Sequence, residues 1–306
     1  MDLKQMQYFL CLAQEGNVTR AARQLNIVQP ALSMQIAKLE KSLGKQLFDR
    51  SARGMALTPA GETLAQLVGP IVQDVDRAKD QMAQLDGKVS GRVSIGMIAS
   101  AAQSTLTASS ARIAAQHPDI QLSVCEGYTE TLMEWVLGGQ LDIAIINVPS
   151  RRVALTTHHI LDEEMMLAHT ARQRLSLPQP VPFDRLKMLD IVIPSRRHGL
   201  RRILDDAAAQ AGFSLRPRLE IDTLTSVCEL VASTDLVTVL PGVALHAMLS
   251  AGRIKAHRMK KPAIVRSIAW VTNPRRVISA AMSAVMEIIA ADLKVAAASA
   301  GRRTLS

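Results

Sequence analysis

The sequence predicts an α/β protein with an N-terminal winged helix-turn-helix, a long linker helix and a two-lobed α/β domain. Three patterns in the 306 residues lead to this fold class. In residues 3–57, apolar residues first recur at helical spacing and then form two short apolar segments. Apolar residues then recur every three or four positions through residues 58–85, and short apolar runs alternate with helical stretches from residue 92 onward.

Residues 17–43 predict two helices joined by a tight turn, and residues 3–15 predict a helix that packs behind them. Asn17 fits an N-cap. Gln29-Pro30 fits the first turn of a helix, where the missing N–H of proline is not needed. On the second of the two helices, five side chains should face inward: Ala31, Leu32, Ile36, Leu39 and Leu43.

The outer face of that helix carries amide and hydroxyl groups. Such groups can hydrogen-bond base edges in the major groove of DNA, which admits one α-helix. We therefore predict that Lys38 holds a phosphate and that five residues face the major groove: Gln29, Pro30, Ser33, Met34 and Gln35. The spacing alone fits an ordinary helical pair equally well.

A small β-hairpin, or wing, is predicted next. Apolar residues at 47–48 and at 55–57 flank a polar segment that contains Gly54. Arg50 and Arg53 would lie at the tip of this hairpin, where we expect them to hold phosphates.

The stretch from Thr58 to Leu85 predicts a long helix with a coiled-coil seam, because its apolar residues are separated alternately by four and three positions. So narrow a stripe predicts packing against the same helix of a second copy, with five dimer contacts: Leu64, Val68, Ile71, Val75 and Met82. Packing against its own domain is the alternative. Gly69-Pro70 inside the helix predicts a local bend.

The rest of the chain predicts two α/β lobes that follow a hinge. The first lobe shows the βαβαβ pattern of a parallel sheet, with strands at 92–97, 120–126 and 141–146 and helices at 105–116 and 129–138. The alternation continues with strands at 160–168, 190–194, 218–222, 236–241 and 268–272 and helices at 199–211, 224–232 and 279–295. A cleft between the lobes is the expected ligand site.

The predicted domains follow from these elements. They are the winged helix-turn-helix at 1–58, the linker helix at 59–86, the hinge at 87–91 and the two-lobed domain at 92–306. Lobe 1 is expected at about 92–161 and 268–306, and lobe 2 at about 162–267.

The chain resembles the LysR-type transcriptional regulators. The resemblance is carried by DLKQMQYFLCLAQEGNVTRAARQLN, QPALSMQIAKLEKSLGKQLFDR and GMALTPAGE in the family's order and spacing. A looser match continues through RVSIGMIAS, EGYTETLMEWVLGGQLDIAI, IPSRRHGLRRIL and TDLVTVLPGVAL. Two positions depart from the family's pattern: Val28 stands where a small hydroxyl residue is common, and Met34 where Arg is common.

The resemblance implies an effector domain similar to periplasmic binding proteins. It also implies four kinds of partner: double-stranded operator DNA, a small-molecule effector, further copies of the chain in a homodimer or homotetramer, and RNA polymerase. It places Ser100, Thr129 and the segment from Ser195 to Gly199 at the effector cleft. Ser100 and Thr129 also fit ordinary helix caps.

Charge near residue 199 predicts an anionic effector, most simply a carboxylate. Four arginines, at 196, 197, 201 and 202, crowd the positive end of the helix that starts at Gly199. Asp205 and Asp206 would neutralise Arg201 and Arg202 on the solvent face. We therefore expect Ser195, backbone N–H groups and either Arg196 or Arg197, beside His198, to hold an anion. A distant carboxylate or solvent would serve these two arginines equally well.

Overall charge favours a polyanionic partner. The chain has 36 Lys and Arg against 27 Asp and Glu, a net charge of +9. Residues 1–58 hold eight Lys and Arg against four Asp and Glu and are the densest in positive charge. The alternative function is a solute-binding protein without a DNA role, which residues 92–300 alone would support. The attached DNA-binding unit and the absence of an export signal count against it.

The sequence predicts no enzyme, cofactor or metal site. It has no Gly-x-Ser-x-Gly elbow, phosphate-binding glycine-rich loop or Cys-x-x-Cys pair. His158 and His159, near Glu163 and Glu164, would point to opposite faces of an extended segment. The three separated cysteines predict buried thiols in a reducing compartment. Without a signal peptide or a membrane-length apolar run, we expect a soluble, cytoplasmic protein.

Overall fold

The structure, a computed structural model, describes residues 1–51, 54–83, 89–149, 153–173 and 177–303. The chain divides into two units, Met1–Lys88 with Gly138–Gln140 and Val89–Leu137 with Leu141–Ser306. Within the described residues, no helix has both the length and the apolar character needed to cross a lipid bilayer.

The first unit is a winged helix-turn-helix followed by a long helix, as predicted. Its elements are α1 (Leu3–Glu15), α2 (Val18–Gln24), α3 (Gln29–Leu43), β1 (Phe48–Ser51), β2 (Gly54–Leu57) and α4 (Pro59–Ala83). Asp2 and Gln5 form a capping box that starts α1. Phe9 of α1 and Phe48 of β1 meet in the core with their ring centroids 5.4 Å apart. Leu85, where the predicted linker helix ends, and the hinge residues Gly87 and Lys88 lie outside the described residues.

The second unit alternates strands and helices. Its first part comprises β3 (Gly91–Met97), α5 (Ala99–Gln116), β4 (Ile120–Glu126), α6 (Thr129–Leu137), β5 (Ile143–Asn147) and β6 (Thr156–Thr170). The middle comprises β7 (Val181–Pro182), a 3-10 helix (Phe183–Met188), β8 (Val192–Ile193), α7 (Gly199–Gln210), β9 (Leu219–Glu220), α8 (Leu224–Ser233) and β10 (Thr238–Pro241). The last part comprises α9 (Gly242–Ser250), β11 (Ile254–His257), β12 (Met259–Lys260), β13 (Val265–Thr272) and α10 (Ala280–Arg303).

The strands of the second unit form the predicted two lobes. β3 lies parallel to both β4 and β5, as the βαβαβ pattern predicts. β6 is a single strand of 15 residues. Its first part pairs with β13, and its second part pairs with β10 and β11 in the other lobe. β6 and β13 are therefore the strands along which the chain enters the second lobe and returns.

In the second unit, one predicted helix starts too late and one helix was missed. α5 begins at Ala99 rather than at the predicted Thr105. The prediction missed residues 99–104 because they are small and polar and carry no apolar stripe that would indicate a helix. The helix α9 was not predicted. Its sequence, GVALHAMLS, is apolar around most of its circumference and shows no helical period.

Candidate functional site

Local contacts that the sequence encodes hold the helix-turn-helix. Asn17 Oδ1 accepts hydrogen bonds from the backbone N–H groups of Thr19 (2.9 Å) and Arg20 (3.1 Å), so α2 begins where the sequence predicts. Val28 precedes α3 without a side-chain cap. Gly44 ends α3 in the left-handed conformation, with a φ of 63°.

The outward face of α3 is the candidate DNA-reading surface. Its opposite face buries Leu32, Ile36 and Leu39. The predicted DNA contacts are exposed (Gln29, Pro30, Met34 and Lys38) or half-buried (Ser33 and Gln35). Leu43, predicted to face inward, is 38% exposed. This is a correction, since the last turn of α3 extends beyond the core and residues 41–46 are all exposed.

Two amides of this surface hold weak contacts within the unit. Gln29 Oε1 accepts from the Thr19 hydroxyl, and Gln35 Oε1 accepts from Gln5 Nε2, both at 3.4 Å. Distances near the upper limit of a hydrogen bond mark weak interactions. Either amide can therefore turn toward a base edge at little cost.

The wing packs beside the corner between α1 and α2. β1 and β2 pair antiparallel from Phe48 and Leu57 to Ser51 and Gly54. Gly54 has a φ of +120°, and a Cβ there would lie 2.5 Å from the carbonyl oxygen of Gly16, so only glycine fits. The backbone of Arg50 lies in β1. Its side chain and the whole of Arg53 lie outside the described residues.

Helix α4 carries an apolar stripe that the core of its unit does not cover. Four of its apolar side chains are exposed or half-buried: Leu67, Ile71, Val75 and Met82. Leu64 and Val68 were predicted as dimer contacts, but they are only 9% and 1% exposed. This is a correction: both belong to the core of their own unit, where α4 packs against α1.

The second unit contains a cavity of about 330 Å³ between its lobes. The starts of four helices line it, through Ala99 of α5, Thr129 of α6, Gly199 of α7 and Leu224 of α8. The first turn of a helix presents unsatisfied N–H groups and a partial positive charge. Four such ends at one cavity favour a negatively charged ligand group.

The caps of these helices differ. Ile98 before α5 and Thr223 before α8 make no side-chain cap hydrogen bond. His198 caps α7, since its Nδ1 accepts from the Leu200 N–H at 3.2 Å. The proton of the neutral ring therefore lies on Nε2. Burial lowers the pKa of His198, so the ring is neutral at pH 7.

Two buried polar atoms that line the cavity make no hydrogen bond with any described residue. They are Thr129 Oγ1 and Asn147 Nδ2, in residues only 6% and 3% exposed. A Cβ on Gly199 would lie 3.0 Å from Asn147 Nδ2 and 3.1 Å from Thr129 Oγ1, so this glycine lets the chain approach both atoms. An unpaired buried polar group costs about 1–3 kcal/mol. A ligand with acceptor oxygens would remove that cost.

A carboxylate at the rim of the cavity joins the two lobes. Asp222 accepts hydrogen bonds from the Tyr128 hydroxyl (2.6 Å), the Ser195 N–H (2.7 Å) and the Ser195 hydroxyl (3.0 Å). The hydrogen bond that Tyr128 donates to Asp222 raises the pKa of Tyr128. Burial raises the pKa of Asp222, but the bonds from Tyr128 and Ser195 outweigh burial, and the net pKa is lowered. Asp222 is therefore ionised at neutral pH.

A fully buried guanidinium lies behind the cavity. Arg266 pairs with Glu163 through Nε (3.0 Å) and Nη2 (2.7 Å). Its Nη1 donates to Ser100 Oγ (2.7 Å) and Asn147 Oδ1 (3.3 Å). Because Asn147 Oδ1 accepts from Arg266, the free end of its amide is the donor Nδ2. Glu163 Oε1 also accepts from the Val243 N–H at the start of α9 (2.8 Å).

The structure separates the predicted effector residues. Thr129, His198 and Gly199 line the cavity. Ser100 does not: it is 2% exposed, and its hydroxyl accepts from Arg266. Ser195 is also outside the lining, with its hydroxyl and N–H bound to Asp222. Both placements correct the sequence prediction, because the protein itself uses these hydroxyl groups.

The arginines near residue 199 also differ from the prediction. Arg196 and Arg197 are exposed and lie outside the cavity lining, although Arg197 borders a neighbouring pocket of about 30 Å³. Arg201 is 2% exposed rather than on the solvent face, because the Pro194 carbonyl and Glu220 join Asp205 in binding it.

Arg202, for which the sequence predicts a partner in Asp206, contacts Glu130 of α6 at 2.8 Å. That ion pair crosses from one lobe to the other.

Among the residues at or behind the cavity that sequence reasoning missed, five carry its hydrogen bonds and charge: Glu126, Tyr128, Asn147, Asp222 and Arg266. A usable signal existed for three of them. Glu126 and Asn147 end strands β4 and β5, and Asp222 closely follows β9. Ligands of parallel α/β sheets bind beside the carboxyl ends of strands, so polar residues there are candidates.

The two adjacent histidines do not share a site. The His158 ring stacks on Trp270 with the centroids 3.9 Å apart, and His159 Nε2 contacts Asp162 at 2.9 Å. Among the described residues, no group of three or more His, Cys, Asp or Glu side chains is arranged to hold a metal ion.

Comparisons with known protein families cover both units. A family model described as LysR substrate binding domain matches residues 86–294. A second model, described as bacterial regulatory helix-turn-helix protein, lysR family, matches residues 3–62.

Two similar proteins match over most of their length. The nitrogen assimilation regulatory protein nac of Escherichia coli (strain K12) is 28% identical over 291 residues, which are 94% of this chain and 94% of that protein. The probable hydrogen peroxide-inducible genes activator of Streptomyces viridosporus is 28% identical over 297 residues, 96% of this chain and 94% of that protein.

Solved structures share the fold. A full-length OxyR variant from Pseudomonas aeruginosa aligns with a TM-score of 0.73 at 23% identity, over 96% of this chain and 95% of that one. CbnR in complex with its target DNA aligns with a TM-score of 0.68 at 18% identity, over 95% of this chain and 100% of that one.

Proposed function

Because this chain belongs to the LysR family of bacterial regulators, we propose that α3 reads an inverted-repeat operator and that the cavity binds a small anionic effector. The family membership makes the chain a DNA-binding transcriptional regulator with an effector-binding domain, not an enzyme. LysR regulators bind DNA and small-molecule effectors and form oligomers. Contact with RNA polymerase and assembly beyond the dimer stay predictions from the resemblance.

The exposed face of α3 supports the DNA half of the proposal. Gln29, Ser33 and Gln35 supply amide and hydroxyl groups for base edges, with Pro30 and Met34 in apolar contact. Lys38, Arg50 and Arg53 hold phosphates.

The uncovered stripe of α4, from Leu67 to Met82, pairs two copies of the chain. Two-fold symmetry then places two α3 helices on two half-sites of opposite orientation, which is an inverted repeat.

One observation carries the effector half. Four helix starts converge on a cavity in which Thr129 Oγ1 and Asn147 Nδ2 are buried without partners. All of these groups can donate a hydrogen bond to a ligand oxygen. A carboxylate or another oxyanion matches this set of donors and the positive helix ends.

The test is thermal unfolding of the full chain with small carboxylates and their matched uncharged amides. A ligand that binds the folded state raises its melting temperature by mass action. We expect at least one carboxylate, but not its amide, to raise the melting temperature. Thr129→Val and Asn147→Asp should abolish the response. The first replaces the hydroxyl donor with a methyl group at nearly unchanged side-chain volume, and the second replaces an amide donor with a negatively charged acceptor.

Thr131→Val, a matched change on α6 outside the cavity lining, should leave the response intact. An equal response to acid and amide would contradict the proposal. An unchanged response in both cavity variants would also contradict it.

A further inference from the structure

We propose that the effector is a zwitterion, with its anionic group at the helix starts and a cationic group beside Asp222 and Glu126. A small amino acid is the simplest compound of this class. The inference rests on the proposed effector site and narrows the chemical class of its ligand.

The charge of the cavity lining is the first observation. Asp222 and Glu126 both line the cavity, and no Lys or Arg does so among the residues that the structure describes. His198 in the same lining is neutral, since its Nδ1 accepts a backbone hydrogen bond. A ligand with only negative charge would therefore lie beside two carboxylates, and no Lys or Arg of the lining would offset the repulsion between like charges at short range.

The partners of Asp222 are the second observation. Its three hydrogen-bond donors, the Tyr128 hydroxyl and the hydroxyl and N–H of Ser195, are all neutral. An ionised carboxylate has about four acceptor positions, so one position on Asp222 stays open. Its carboxylate is thus held in place while its charge is not neutralised by these partners. An ammonium group of the ligand would provide both the fourth donor and the opposite charge.

The cavity has two chemically different ends, one with the hydrogen-bond donors and one with the carboxylates. Thr129 Oγ1 and Asn147 Nδ2 both lie close to Gly199, so these two donors and the start of α7 form one end of the cavity. Asp222 and Tyr128 form the rim that joins the lobes. A volume of about 330 Å³ lies at the small end of ligand pockets, as expected for an amino acid rather than a larger metabolite.

The experiment compares matched probes on the full chain by thermal shift and calorimetry. The probes are the standard α-amino acids and γ-aminobutyrate, each beside its desamino acid and its carboxamide. We expect an amino acid to bind at least about tenfold more tightly than both analogues, the size of one charge-assisted hydrogen bond.

Charge-removing variants locate the cationic end. Glu126→Gln and Asp222→Asn should each lower the preference for the amino acid over its desamino acid about tenfold. Glu126 is exposed, so its variant tests the inference even where Asp222→Asn fails to fold. Glu134→Gln, an exposed change on α6 outside the cavity lining, should keep the wild-type preference.

The outcomes separate this inference from the proposed function. Equal binding of amino acid and desamino acid overturns the zwitterion and leaves the anion site standing. A wild-type preference in both Glu126→Gln and a folded Asp222→Asn also overturns the zwitterion. Binding of the carboxamide as tight as that of the amino acid, or no response to any probe, overturns both proposals.

Discussion

His198 illustrates how one side chain carries two roles at the cavity. Its Nδ1 caps α7, and its ring meets the Tyr128 ring edge-on with the centroids 5.7 Å apart. The sequence placed this residue in the predicted effector segment from Ser195 to Gly199, but it did not predict that the ring caps α7. The cap requires an unprotonated Nδ1, so protonation of the ring breaks the cap.

This cap predicts a loss of stability in mild acid. Burial lowers the pKa of His198 below its ordinary 6.5, and burial acts in the same direction on His169 and His257. Below pH 6.5 the unfolded chain therefore binds more protons than the folded chain. The contribution of these neutral histidines to the free energy of unfolding is fully present above pH 6.5. It is lost as the pH falls through their lowered pKa values.

The measurement is the free energy of unfolding between pH 7.5 and pH 5, which should decrease toward acid. His198→Asn keeps an acceptor at the cap and removes the titrating group, so its decrease should be shallower. A slope equal to that of the wild type would show that His198 does not contribute.

The environments of the three cysteines predict that hydrogen peroxide does not oxidise them readily. Burial raises the pKa of Cys228 to about 11 and raises the pKa of Cys11 and Cys125 as well. The thiolate is the reactive form, so these thiols react slowly at neutral pH. After treatment with hydrogen peroxide, we expect mass spectrometry under non-reducing conditions to show no internal disulfide. A disulfide formed at stoichiometric peroxide would contradict this.

At the scale of elements, the N-terminus of α3 lacks a side-chain cap that a substitution could supply. Val28 already has the extended backbone of an N-cap, with φ −81° and ψ 145°, but offers no acceptor and is 69% exposed. Val28→Ser would supply a hydroxyl oxygen for an N–H of the first turn and should stabilise the first unit by about 1 kcal/mol. Urea unfolding measures the change. Val28→Ala is the matched control, and an equal gain from alanine would rule out capping as the cause.

The stripe on α4 predicts that two neighbouring substitutions act differently. Ile71 is 45% exposed, whereas Val68 is 1% exposed in the core of its own unit. Ile71→Asp should therefore yield a folded monomer, and Val68→Asp should unfold the first unit, because a buried unpaired charge is costly. Light scattering and circular dichroism separate the two results. A dimer unaffected by Ile71→Asp would place the dimer contact elsewhere.

Periodicity alone could not distinguish these two roles on α4. The alternating gaps of four and three correctly predict one apolar face. They do not state whether α1 or a second copy covers it, and the answer changes along the helix, since Leu64 and Val68 are buried and Ile71 and Met82 are exposed. Burial is set by the path of the rest of the chain, which short-range spacing does not record.

For the whole molecule, most of the order of elements and a cleft between the lobes could be predicted, but α9 and the chemistry of the cavity could not. Strand and helix signals are local, so βαβαβ and the helix-turn-helix follow from short stretches. The cavity instead brings together Glu126, Asn147 and Asp222, and the buried guanidinium of Arg266 binds Asn147 from behind. No spacing rule connects positions so distant along the chain.

The central claim is that two copies of the chain read an inverted repeat through α3. Selection of bound duplexes from a random library by the full-length protein, followed by sequencing, tests this claim most directly. We predict a two-fold symmetric motif whose half-sites lie about 10 base pairs, or a multiple of that, apart. Gln29→Ala should retain the half-site spacing and lose base preference within each half-site. Enrichment of no motif, or of a single asymmetric motif, would contradict the claim.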